Sequence, residues 1–325
     1  MPKLSIGMPV YNGENYLCEA LDSLLGQTFT DFELIISDNA STDATQSICE
    51  ELAAKDSRIR YFRAKQNHGA SWNHAFVIEK ATAPLFKLAA HDDVCLPTQL
   101  AVCVDALEKN QNAVLAYTQT LMMHGDQKSM TYYKDEVELD SDNAAIRYGD
   151  LMHEAPPAFP IFGVVRLDML RSIPGFDPYK ASDRVVLTRL ALLAPFIEIK
   201  QALFQYRWHD NNASNLMSSP DQFYNWWSPG KGVGRVYPES RLMWEHLRSI
   251  FIIKLSFSER GACLREWWHW VKQNRKRIAD ELTQVISRKP LAKYPPLDMF
   301  ELALKRQQRA VFKLHYYTNS NSRKT

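Results

Sequence analysis

Two adjacent carboxylates, Asp92 and Asp93, close an apolar run from Pro84 to Ala90 and are preceded by His91. Neighbouring acids at a strand exit repel each other unless a cation or hydrogen-bond donors compensate. Mg²⁺ or Mn²⁺, hard ions held by one or two carboxylates and a substrate's phosphates, would do so. A plain acidic turn is the alternative reading. Asp183 stands just before the apolar run Val185 to Leu193 and reads either as a helix N-cap or as a general base. His209, in Tyr206-Arg207-Trp208-His209, reads as a surface histidine or a metal ligand. Ser228 to Gly234 is glycine-rich but lacks the spacing of a phosphate-binding loop, so it is read as an ordinary loop.

The elements that must position these residues follow from hydrophobic periodicity. Strand patterns at Leu4–Val10, Phe32–Ile36, Ile59–Phe62, Pro84–Ala90 and Val114–Tyr117 alternate with helical ones. The helices cover residues 16–25, the stretch to Ala54, Trp72 to Glu79, and Pro97 to about Asn110. Asp43 with Gln46 three residues on predicts a capped start for the second helix. Such alternation predicts an α/β fold with a doubly wound parallel sheet, whose ligands bind beyond the carboxyl ends of the strands. The polar turns Tyr11-Asn12, Asp38-Asn39 and Asp92-Asp93 collect there. Residues 121–180 are less regular and proline-rich, and from about Leu216 aromatic clusters mix with basic stretches.

Composition narrows the function classes. The 325 residues, 46% hydrophobic and 23% charged, are those of a globular protein. Five cysteines without a C-x-x-C pair suggest neither a disulfide framework nor a zinc site, hence a reducing compartment. No apolar stretch long enough for a membrane span or a signal peptide is evident, which predicts a cytoplasmic protein. The net charge of +2 conceals an asymmetry: from Arg241 onward 18 Lys and Arg face 7 Asp and Glu. That tail, with Trp267, Trp268 and Trp270, reads as a helical subdomain packed on the rest, or as a peripheral contact with anionic membrane at its inner face. No nucleic-acid motif accompanies it.

Taken together, these motifs resemble the inverting, family 2 glycosyltransferases of GT-A fold. The resemblance rests on Met8-Pro9-Val10-Tyr11-Asn12-Gly13-Glu14, Ser37-Asp38-Asn39-Ala40-Ser41-Thr42-Asp43, Asn67-His68-Gly69, His91-Asp92-Asp93, Gly175-Phe176-Asp177, Ser182-Asp183-Arg184 and Tyr206-Arg207-Trp208-His209. It implies a catalytic domain over residues 1–215 with a helical extension over 216–325. The resemblance also implies a nucleotide-diphospho-sugar donor, UDP ahead of dTDP and GDP, and a saccharide or lipid-linked glycan acceptor used in building surface polysaccharide or glycoconjugate. Pro9, Tyr11, Asn12, Glu14, Asp38, Asn39, Asn67 and Gly69 would form the nucleotide pocket, and Asp92 would touch ribose or donor sugar. Asp93 and His209 would hold Mn²⁺ or Mg²⁺, and Asp183 would be the base. Two positions depart from the family pattern: Asn39 replaces a frequent second acid, and Ser182 a frequent glutamate. The alternative is a non-catalytic nucleotide- or carbohydrate-binding module on the same fold.

Overall fold

The computed structural model describes residues 1–124, 127–133, 137–153, 157–209, 226–229 and 238–286. The glycine-rich stretch from Gly230 to Gly234 and the expected boundary near residue 215 lie outside the described residues.

The chain begins as a run of strand–helix units: β1 (Leu4–Val10), α1 (Leu17–Leu25), β2 (Phe32–Asp38), α2 (Thr45–Lys55), β3 (Ile59–Arg63), α3 (Ala70–Lys80), β4 (Leu85–Leu88), β5 (Val94–Cys95) and α4 (Gln99–Lys109). There follow β6 (Leu115–His124), β7 (Gln127–Tyr133), α5 (Ala144–His153), a 3₁₀ turn (Phe159–Phe162), β8 (Val164–Arg166), α6 (Leu167–Arg171), α7 (Ser182–Leu193) and β9 (Phe196–Trp208). Two C-terminal helices complete the described chain, α8 (Pro238–Ile252) and α9 (Phe257–Ile286).

One sheet runs in the order β3-β2-β1-β4-β8-β6-β9-β5, with β7 paired to β6. The first four neighbours are parallel, and so are β6 and β9. The short β8 lies antiparallel between β4 and β6. From β1 the chain winds outward to β2 and β3, then returns to place β4 on the other side of β1. This reversal opens a crevice at the carboxyl ends of β1 and β4, where ligands of such sheets bind.

Side chains alternate across the sheet as the strand period of two requires. Ile6, Met8, Leu34, Ile36, Ala116 and Val164 join the core beneath α1, α2 and α4. Ile35, Phe86, Leu115, Tyr117 and Val165 join the core on the opposite face. That second core continues through α3, α5 and α7 into α8 and α9, with Tyr148, Leu190, Leu242, Ile250, Cys263 and Trp270 in one cluster. Gly7 admits α3 close to β1: a Cβ there would lie 2.7 Å from Phe86 and 2.8 Å from Val77.

The α/β architecture and the five early strands thus stand where periodicity places them. Several local expectations fail. Gln46 does not complete a capping box; its amide donates to Glu50 at 2.7 Å, while Asp43 Oδ1 accepts the Thr45 N–H at 3.0 Å. The irregular region holds a hairpin, α5 and β8, and β9 was not anticipated.

Candidate functional site

The ends of β1 and β2 are braced against the start of α2. Asn12 adopts a left-handed φ of 52°, its N–H donates to Ser41 Oγ at 2.9 Å, and its Oδ1 accepts the Thr42 N–H at 2.9 Å. Glu14 Oε2 accepts the Ala44 N–H at 2.9 Å. Asp38 is fully buried: Oδ1 accepts the Ser41 N–H at 2.8 Å, and Oδ2 accepts the Tyr61 hydroxyl at 2.8 Å beside Arg63 at 3.2 Å. Asn39 uses its amide on the neighbouring turn. Its Nδ2 donates to Asn67 Oδ1 at 2.9 Å and to the Gly69 carbonyl at 3.2 Å, and its Oδ1 accepts the His68 N–H at 2.9 Å. Asn12, Glu14, Asp38, Asn39 and Asn67 are therefore gathered at one crevice, with side chains engaged in shaping it. Tyr11 is exposed at its mouth and Pro9 sits at the end of β1.

Gly69 has a φ of +87°, open to glycine at little cost. A Cβ there would sit 2.3 Å from the Trp227 carbonyl oxygen, so the segment Trp226 to Pro229 lies directly on this turn. Trp227 also stacks on His74 at 5.8 Å, and His74 packs on Phe176 at 5.0 Å. Burial holds the His74 imidazole below its ordinary pKa, opposed by the Ala70 carbonyl and by the charge of Asp183. The charge of Asp183 is thus felt at His74, on α3. Asp183 lies in the first turn of α7 and is not its cap: Ala181, in left-handed conformation, occupies that position.

The Asp92-Asp93 turn hangs between β4 and β5, and β9 secures it. The Arg207 N–H donates to Asp93 Oδ1 at 2.9 Å, and Arg207 Nε to the Asp92 carbonyl at 2.8 Å. The same guanidinium meets Glu19 and lies 4.5 Å above the Tyr16 ring. His209 Nε2 and Asp92 Oδ2 are 3.0 Å apart. Asp93 Oδ2 is buried and has no hydrogen-bond partner among the described residues. Burial and the charge of Asp92 push the Asp93 carboxyl well above its ordinary pKa, against the pull of the Arg207 N–H, Lys87 and the Arg207 charge. Asp92 moves the other way. Burial raises it, but His209 and the charge of His91 hold it lower.

An orphaned carboxylate oxygen beside a second acid suits a hard cation. Among the described residues no cluster of three or more His, Cys, Asp or Glu could hold an ion alone.

Residues 5–156 match the family described as glycosyl transferase family 2. A glycosyltransferase of Haemophilus influenzae is 31% identical over 152 residues, which are 47% of this chain and 58% of that protein. The chain spans from 32% to 58% of the length of three such relatives. The fold resembles Staphylococcus aureus TarS 1–349 in complex with UDP-GlcNAc, with a TM-score of 0.61 and 16% identity over 89% of this chain and 82% of that one. It also resembles the mannosyltransferase PcManGT of Pyrobaculum calidifontis in complex with GDP-Man and Mn²⁺, with a TM-score of 0.54 and 13% identity over 96% and 81%. These likenesses make the fold GT-A-like.

Within this GT-A-like fold, Arg207 is the residue whose importance sequence reading missed. It stood in the quoted motif, but its role depends on pairing with a turn 114 residues earlier. Asn73 is a second. Its Nδ2 donates to the Ser37 carbonyl at 3.0 Å and the Val10 carbonyl at 3.3 Å, tying α3 to the ends of β1 and β2. Nothing in the sequence distinguishes it from a surface asparagine.

Proposed function

We propose that the protein is a metal-dependent, inverting glycosyltransferase. It moves a sugar from a nucleotide-diphospho-sugar, a UDP-sugar by preference, to a hydroxyl of a saccharide or lipid-linked glycan in surface polysaccharide or glycoconjugate synthesis. The observation that carries the reading is the unpartnered, buried Asp93 Oδ2 beside Asp92, at the point where the sheet's winding reverses. All five cysteines are free, which supports a reducing, cytoplasmic setting.

Asp93, with His209, would hold Mn²⁺ or Mg²⁺, which when bound would supply positive charge against the diphosphate leaving group. The turns at Pro9 to Glu14, Asp38-Asn39 and Asn67 to Gly69 shape the pocket for base and ribose, and Asp92 orients ribose or donor sugar. Asp183 accepts the proton of the acceptor hydroxyl as its oxygen bonds to the anomeric carbon. The bond from that carbon to the diphosphate breaks on the opposite face, so configuration inverts in one displacement.

Calorimetric titration with UDP, with Mn²⁺ and then with EDTA, tests the donor site: binding that needs Mn²⁺ is expected, and binding indifferent to EDTA refutes the metal role. Asp183→Asn should keep that binding and slow transfer by about 10²–10⁴-fold. Transfer near the unaltered rate would remove Asp183 from the role of base.

A further inference from the structure

Five of the six basic residues of helix α9 share one side, and Arg277 falls with the acids on the other. At roughly 100° per residue, Arg260, Arg265, Lys272, Arg275 and Lys276 all fall within about 100° of Phe257 around the axis. Glu259, Glu266 and Asp280 lie on the far side, about 140–200° away by the same count. Glu266 there meets His153 of α5 at 3.1 Å, so the acidic side looks toward the body of the protein. Between residues 238 and 286 the sequence has nine Lys and Arg and six Asp and Glu. Three of those acids, Glu239, Glu245 and Glu281, are buried, which leaves the exposed surface more basic than the sequence suggests.

The basic side is also studded with apolar groups. Phe257 is 94% exposed, and Trp268 and Leu282 are each 51% exposed. They lie along one line about 37 Å long at 1.5 Å per residue. Phe251 and Ile252, exposed at the end of α8, adjoin Phe257 at the corner between the helices. Cations rest against two of these rings: Arg260 over Phe251 at 5.8 Å and Lys272 over Trp268 at 5.6 Å. Among the described residues, ion pairs of this region join His153 to Glu266, and Arg189, Arg241 and Arg248 to Glu245, away from this side.

We infer that this face of α9, with the α8–α9 corner, docks on an anionic lipid surface. Phe257, Trp268, Leu282, Phe251 and Ile252 enter the boundary between headgroups and acyl chains, and the five basic side chains meet lipid phosphates. No described helix is long and apolar enough to cross a membrane, so the contact is one of lying on the bilayer. A second copy of the chain is a poorer occupant, because a two-fold interface would set this basic stripe against itself. A nucleic acid would use the cations but would leave Leu282 and Ile252 in water.

The test is sedimentation of the full chain, without nucleotide, with phosphatidylcholine vesicles that contain or lack phosphatidylglycerol. Binding should require the anionic lipid and weaken at high salt. Lys272→Gln and Arg275→Gln should each weaken it about five-fold, the worth of one basic residue near such a surface. Phe257→Ser and Trp268→Ser should also reduce it, with thermal unfolding unchanged in every variant. Arg277→Gln, on the far side of the helix, should bind as the unaltered protein does. Absence of binding that depends on anionic lipid overturns the proposal, as does an Arg277 effect equal to those of Lys272 and Arg275. A dimer in light scattering that these same substitutions dissolve would overturn it too. Failure of UDP binding leaves this test untouched, so the two readings stand or fall separately.

Discussion

Asp93 is held in a state that an isolated carboxylate would not choose. Its folded carboxyl keeps a proton to higher pH than an unfolded aspartate, so protonation favours the folded chain. That stabilisation is complete below the ordinary aspartate range, about pH 4, and is lost as pH rises through the folded value. Metal-free protein should therefore lose stability as pH rises from about 4 toward the folded value. Asp93→Asn keeps an acceptor for the Arg207 N–H and removes the unpaired charge. It should raise stability at neutral pH by about 1–3 kcal/mol and flatten this dependence, while abolishing metal-dependent UDP binding. Calorimetry across pH, with and without Mn²⁺, checks both halves; a destabilised variant would contradict the first. Arg207→Met should lower stability by a similar ~1–3 kcal/mol, because the Asp92 carbonyl loses its donor. A Tm unchanged by that substitution would show that the backbone N–H alone holds the turn. The Asp92-Asp93 pair was legible in the sequence because two adjacent acids at a strand exit repel each other unless a cation or hydrogen-bond donors compensate. Arg207 was not, since its pairing is made only when β9 lies beside β5.

Between elements, two joints govern the site. Arg189 of α7 and Glu245 of α8 are both fully buried and 2.6 Å apart, with Arg241 reaching the other carboxylate oxygen at 2.7 Å. They fasten the helix that carries Asp183 in its first turn to the C-terminal pair. Glu245→Leu leaves Arg189 buried without its anion, and about 3–5 kcal/mol of stability should be lost. The double variant Arg189→Met with Glu245→Leu should recover most of it, and thermal unfolding of the three proteins decides. The second joint is Gly69 against Trp227. Gly69→Ala must strain a φ of +87° and displace the Trp227 backbone, at a cost of order 1–3 kcal/mol. Loss of tryptophan quenching or a lowered Tm would report it, and an unperturbed protein would show that the segment can yield. The early strands and helices were legible because their apolar residues keep a clean period. β9 was not: the adjacent polar residues Lys200 and Gln201 interrupt the alternation, and its register against β6 shifts near Gln119.

At the scale of the molecule, the second core runs unbroken from the sheet through α5 and α7 into α8 and α9. Unfolding should accordingly be a single calorimetric transition, and two separated transitions would contradict the shared core. The sequence by itself determined the α/β class and the polar strand-end turns, and it singled out the acids Asp92, Asp93 and Asp183, because periodicity and local residue type are properties of neighbours along the chain. Only the tertiary structure decided that Asp38 and Asn39 spend their side chains on bracing the crevice and that Arg207 secures the acidic turn. The separation of acidic and basic sides of α9 likewise became visible only once its packing partners were known. Each of these depends on which hydrogen-bond partners and which helix faces are brought together from distant parts of the chain.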